Sequence, residues 1–113
     1  MNKRLIGSDY EARAASHLEA LGYEIIEKNY RDQHGEIDLI AKDGNYLVFI
    51  EVKYRKNGKM GDPAEAVTWQ KQKTIRHTAR YYMLTHGLGS DTACRFDVVA
   101  ILGEDIRVLQ DAF

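Results

Sequence analysis

Residues 35–55, GEIDLIAKDGNYLVFIEVKYR, constrain the fold more than any other stretch. Two runs of aliphatic, aromatic and β-branched residues flank Asp43-Gly44, a dipeptide favoured in tight hairpin turns because both residues tolerate positive φ. The pattern predicts antiparallel strands over residues 36–41 and 46–54. Among the apolar residues stand Glu36, Asp38, Glu51 and Lys53. With Asp43 and Gly44 as the turn, Asp38 lies opposite Phe49 and Glu36 opposite Glu51, and strand alternation puts all four charges on one face. Asp38 and Glu51 are then diagonal neighbours, about 7–8 Å apart at the backbone. Carboxylates crowded beside apolar strands repel unless a cation sits among them. Hard Mg²⁺ supplies that charge, because it takes oxygen ligands and suits one or two carboxylates plus a substrate phosphate. Lys53, on the same face, would orient or deprotonate a water and balance charge on a reacting phosphate.

Other signals set the element order. Ser8-Asp9-Tyr10-Glu11 matches a capping box, and Tyr10, Ala14, Leu18 and Leu21 follow at helical spacing before Gly22, which predicts a helix over residues 8–21. Residues 23–30 read as a strand, ended by polar residues 31–34. After a glycine-containing loop over 56–61, Asp62 and Pro63 are expected to open a long helix with Glu65 in its first turn, running to about His86-Gly87. Residues 95–101 and 106–110 read as closing strands. The order αβββαββ implies an α/β fold, a mixed sheet with helices packed on it, and 113 residues suit one domain spanning 1–113.

Composition enters through charge and cysteine. The net charge of −1 hides a basic segment, because residues 53–80 carry eight Lys or Arg against Asp62 and Glu65, a local excess of +6. Such a segment suits a polyanion, although a solvated face is the commoner fate of charge runs. The single cysteine, Cys94, excludes an internal disulfide, fits a small buried apolar role and suits a reducing cytoplasm. No apolar run of signal-peptide or membrane-spanning character is expected, so the partners read from sequence exclude the membrane. His17, His34, His77 and His86 lack zinc-type spacing, and no phosphate loop, dinucleotide turn or nucleophilic triad is present.

Four segments carry a resemblance: Gly35-Glu36-Ile37-Asp38-Leu39-Ile40, Val48-Phe49-Ile50-Glu51-Val52-Lys53, Gly61-Asp62-Pro63-Ala64-Glu65-Ala66-Val67 and Arg95-Phe96-Asp97-Val98-Val99. Over nearly the whole chain the sequence resembles the YraN family of small bacterial proteins, similar in turn to the PD-(D/E)xK restriction-endonuclease-like superfamily and, within it, to archaeal Holliday-junction resolvases. The resemblance implies a restriction-endonuclease-like fold and a metal-dependent phosphodiesterase acting on branched DNA with Mg²⁺ or Mn²⁺. Asp38, Glu51 and the backbone carbonyl of Val52 would hold the metal. Glu36 would assist, Lys53 would position water, and Glu11 would match the helical glutamate of such resolvases. Ile37 stands where the superfamily has its naming proline, and the Gln-x-x-x-Tyr element of exonuclease-type members is absent, which favours the resolvase-like branch. Two symmetric cuts in a four-way junction imply a homodimer.

Each residue also has a plainer role. Glu11 can complete the capping box with Ser8, Glu36 can pair with a lysine, and Glu51 and Lys53 can be strand charges that resist edge aggregation. Trp69, Lys73, Arg76 and Arg80 fall on one helical stripe, either a solvated face or a phosphate-tracking surface with a stacking ring; with Arg55, Lys56 and Lys59 they are the candidate nucleic-acid contacts. The rival reading of the whole is an accessory nucleic-acid-binding protein that keeps the fold without the chemistry.

Overall fold

The computed structural model describes residues 3–113, with side chains from Asp9 onward except that of Met60. Helix α1 (Lys3–Ala20) precedes strands β1 (Glu24–Asp32), β2 (Gly35–Asp43) and β3 (Tyr46–Arg55). Two 3₁₀ turns, Gly58–Met60 and Pro63–Ala66, lead to helix α2 (Trp69–Thr85), and β4 (Cys94–Leu102) and β5 (Asp105–Leu109) close the order αβββαββ. The five strands pair in chain order, antiparallel except for the parallel pair β3–β4. That parallel pair needs a crossover, which α2 provides.

The helices cover opposite faces of the sheet, so the central strands read as apolar runs. Ala14, Ala15 and Leu18 of α1 pack with Leu39, Val48, Ile50 and Val99 on one face. Ile75, Ala79 and Tyr82 of α2 pack with Ile40, Phe49 and Phe96 on the other. Helix α1 ends as its glycine predicts: Gly22 has φ +101°, and the Tyr23 and Gly22 amides return to the Leu18 and Glu19 carbonyls, a Schellman arrangement.

Three expectations are corrected. Helix α1 begins five residues before Ser8, since Lys-Arg-Leu-Ile are good helix formers that extend it N-terminally. Ser8 and Asp9 are therefore interior to the helix, Glu11 is released from the capping-box role, and Leu21 lies beyond the helix and is exposed. Asp62 does cap a helical turn, its Oδ1 accepting from the Ala64 amide, but that turn is the short 3₁₀ one. The long helix starts afresh at Thr68, whose Oγ1 accepts from the Lys71 amide. In the hairpin, Asp43 pairs with Tyr46, so the turn is Gly44-Asn45, not Asp43-Gly44. Gly44 alone takes positive φ, +61°, in keeping with a II′-type turn. Leu39 thus pairs with Ile50, where the expected turn would have set it opposite Val48. The change slides one strand by two residues, which keeps the paired residues on their faces, but alternation breaks before Leu39: Ile37 packs with Ile40 on the α2 side, while Leu39 packs on the α1 side.

Candidate metal centre

The cleft lies where β2 and β3 part. Their regular pairing ends at Leu39–Ile50, and beyond it the Val52 amide donates to Asp38 Oδ2 at 2.8 Å. A carboxylate thus replaces a strand partner, which fixes Asp38 in orientation, and both Asp38 and Glu51 are buried, at 8% and 5% exposure. Across the β1–β2 pair the ladder runs through Lys28–Leu39 and Tyr30–Ile37, which sets Asn29 opposite Asp38; Asn29 holds φ +54° there. Asparagine is among the few residues that tolerate this conformation. From above, α1 delivers Glu11, anchored by its neighbour Tyr10, whose ring stacks on Tyr54 of β3 at 4.0 Å between centroids.

Glu11, Glu36, Asp38, Glu51, Lys53 and Lys71 line one cleft of about 260 Å³ with Val52 and Tyr54. Carboxylate oxygens of Glu11, Glu36 and Asp38 all lie within 4.8 Å of one another. Oxygens around Mg²⁺ are at most about 4.2 Å apart, so small side-chain adjustments would let these three share one ion. The hard-oxygen donor set fits Mg²⁺ or Mn²⁺. Glu51 stands slightly apart from the three, 3.9 Å from Lys53 Nζ and 3.8 Å from Lys71 Nζ.

The electrostatics reflect crowding. Burial, then the neighbouring Asp38 charge, push the Glu51 carboxyl up to about 8, against the pull of Lys71 and Lys53. Glu11 is pushed up to about 7 by burial and by Asp38, while a hydrogen bond with the Asn29 side chain draws it back down. Both groups hold protons near neutrality that a bound cation would displace.

The structure thus gathers Glu11, Glu36, Asp38, Glu51, Val52 and Lys53, and adds two residues that sequence reasoning missed. Lys71 was indistinguishable from the rest of the basic segment until the helix start at Trp69 set its direction. Asn29 had one signal, an Asn inside a strand-like run. The basic candidates divide. Lys73, Arg76 and Arg80 line a separate groove on α2. Trp69 is exposed beside Lys73, and Lys56 and Lys59 are exposed around the first 3₁₀ turn. Arg55 is half-buried and turned back, with Nη1 donating to the Tyr54 carbonyl and Nε buried without a partner among the described residues.

Residues 10–101 match the model of Uncharacterised protein family UPF0102. The chain is 50% identical over 113 residues to a UPF0102 protein of Lachnoclostridium phytofermentans, covering 100% of this chain and 96% of that one. Against a UPF0102 protein of Caldicellulosiruptor saccharolyticus identity is 40% over 119 residues, covering 100% of both chains. Against UPF0102 protein YraN of Salmonella agona it is 42% over 114 residues, covering 100% of this chain and 87% of that one.

Proposed function

We propose a function for this chain on the premise that it belongs to the UPF0102 family, to which YraN belongs: it is a metal-dependent endonuclease of restriction-endonuclease-like type that hydrolyses phosphodiesters in branched DNA. The observation that carries this reading is the convergence of Glu11, Glu36 and Asp38 beside the Glu51-Val52-Lys53 strand end. The resemblance of that pattern to the PD-(D/E)xK enzymes and to Holliday-junction resolvases supports it.

Asp38, Glu11 and Glu36 would hold a Mg²⁺ or Mn²⁺ ion, with Glu51 and the Val52 carbonyl at its edge. Such an ion, when bound, supplies Lewis-acid activation of the phosphodiester and of water. The remaining work belongs to the chain's own groups. The Val52 amide keeps Asp38 from rotating away. Lys53 and Lys71 bracket Glu51 and offer cationic donors to a phosphate oxygen or to an attacking water. Tyr54, stacked on Tyr10, closes the apolar side of the cleft. The basic groups outside the cleft would bind the substrate's phosphates, and cutting a four-way junction symmetrically would take two copies of the chain.

The test is cleavage of end-labelled four-way junction, flap, single-stranded and linear duplex DNA in Mg²⁺ and in Mn²⁺, beside Asp38→Ala and Lys53→Ala variants shown to be folded. Structure-selective cutting lost in both variants, by about 10²-fold or more, supports the nuclease. Binding without cutting by the wild type would identify an accessory binding protein instead.

A further inference from the structure

Helix α2 and the tip of the β1–β2 hairpin enclose a second feature, an open groove of about 400 Å³ lined by His34, Lys73, Arg76, His77 and Arg80 among others. Its geometry is fixed. Asp32 Oδ1 accepts from the His34 amide at 2.8 Å and from the Gly35 amide at 3.3 Å, which shapes the tip. Gly35 then lies so close to α2 that a Cβ would come within 2.8 Å of Thr78 Oγ1. This seating brings His34 Nδ1 to 3.0 Å from His77 Nε2 and its ring against Tyr81.

The groove's charge is unanswered from within. Among the described residues, Lys73, Arg76 and Arg80 form no ion pair, whereas Lys53 and Lys71 face Glu51. Arg76 lies over the Phe96 and Phe113 rings, at 5.1 and 5.5 Å, which holds its guanidinium in place. One helical turn from Lys73, Trp69 is 68% exposed, with the Lys73 ammonium 4.5 Å from its ring. A row of unpaired cations, Arg76 among them held over two rings, beside an exposed indole matches a backbone of phosphates carrying bases free to stack. Inside a duplex both faces of each base are covered by neighbours. An unpaired strand offers them.

We propose that this groove is a binding site for an unpaired polynucleotide strand: Lys73, Arg76 and Arg80 take successive phosphates, Trp69 stacks on a base, and the hydrogen-bonded His34–His77 pair supplies one free ring N–H donor. It deepens the nucleic-acid part of the function proposed above and rests on it, but not on cleavage. His34 and Glu36 are two residues apart on one hairpin, so a strand in the groove is led toward the acidic cleft. The substrate class is then a junction between duplex and unpaired strand, not continuous duplex.

Trp69 is the single tryptophan, so its fluorescence reports the stacking directly. The wild-type chain, in a chelator so that no cutting occurs, is titrated with oligothymidylate, with oligouridylate of equal length, and with a duplex long enough that its ends are a minor share. Quenching by either single strand, with log affinity falling against log salt at a slope of about −2, is expected for three phosphates; the two oligonucleotides rank deoxyribose against ribose. Labelled-strand anisotropy should show Trp69→Ala weaker by about 5- to 150-fold, and Lys73→Ala with Arg80→Ala less salt-dependent by about 1.4 in slope. Both lysine and arginine heads are exposed, so these variants should fold, which circular dichroism checks. Absence of quenching, or single-strand affinity unchanged in Trp69→Ala and in the double variant, overturns the groove. Wild-type binding in chelator and wild-type cutting in Mg²⁺ separate the two readings, because intact groove binding with no cutting would sink only the nuclease.

Discussion

Asn29 holds a backbone conformation that a β-branched residue enters only with strain, and its side chain touches Glu11. The two properties can be separated. Asn29→Gly keeps the positive φ and loses the hydrogen bond; Asn29→Val loses both. In urea titrations Asn29→Val should be less stable than Asn29→Gly by about 1–2 kcal/mol. In both variants the Glu11 carboxyl rises further, so calorimetric Mg²⁺ binding at neutral pH should weaken. Equal stabilities would mean that the strand relaxes around position 29. Glu51 makes a second residue-scale prediction. Its carboxyl rises from an ordinary 4.5 to about 8 in the fold, so the folded state binds more protons than the unfolded chain between those values. The associated stability is fully present below about 4.5 and is lost as pH rises toward 8. Metal-free protein should therefore show a falling denaturation midpoint over that window, and Glu51→Gln should flatten the fall. A midpoint that rises with pH across this range would contradict the crowded-carboxylate account.

Gly35 joins two elements: it lets the β1–β2 hairpin lie against α2, and its replacement by alanine forces a Cβ to within 2.9 Å of Thr74 Cγ2 as well as against Thr78. Overpacking of this kind costs about 1–3 kcal/mol, and Gly35→Ala should lower stability by that much in denaturant titration. Because the hairpin tip must tilt away, the His34–His77 contact should open, read as changed histidine ring signals in NMR; an unchanged midpoint would show that the tip floats on the helix. Elements of this kind were largely legible in the sequence. The strand pair followed from apolar runs with a glycine between them, and Gly22 and Thr85-His86 ended helices near the expected places. What was not legible had local degeneracy behind it. Asp43-Gly44 and Gly44-Asn45 are both good turn pairs, and only packing chooses between registers that differ by two residues and bury the same faces. Asp62-Pro63 and Thr68 are both competent helix starts, and the break at Val67, whose side chain is buried, decides that Lys71 turns toward Glu51.

At the scale of the whole molecule, charge is buried in both halves of the parallel β3–β4 pair. The acidic cleft occupies the C-terminal half of β3, while Arg95 and Asp97 stand in the N-terminal half, level with Val48 and Ile50. Asp97 is completely buried, and its oxygens accept from Arg95 Nε and Nη2, from the Tyr23 hydroxyl and from the Asp111 amide. Arg95 also reaches Asp43 at 2.8 Å, and Gln110 Nε2 donates to the Tyr23 hydroxyl. The network thus ties the α1–β1 connection, the β2–β3 hairpin, β4 and the C-terminal segment together. Both Asp43 and Asp97 pair with the Arg95 guanidinium within 2.9 Å, whereas burial and the Asp38 charge push the Glu11 and Glu51 carboxyls of the cleft up. That difference assigns the Arg95-Phe96-Asp97 segment to the fold and the Asp38–Glu51 region to chemistry. Asp97→Ala breaks the buried half of the Arg95 pairing and removes the acceptor of the Tyr23 hydroxyl and the Asp111 amide, leaving Arg95 with Asp43 alone, and should cost about 3–5 kcal/mol. Measured at low temperature, where the variant remains folded by near-ultraviolet circular dichroism, its Mg²⁺ affinity should match the wild type, because no member of the network lines the cleft. Asp38→Ala should behave in the opposite sense, losing Mg²⁺ binding while relieving the repulsion around Glu51. If Asp97→Ala instead lost metal affinity while still folded, the two halves of the pair would be coupled, and the division between fold and chemistry would fail.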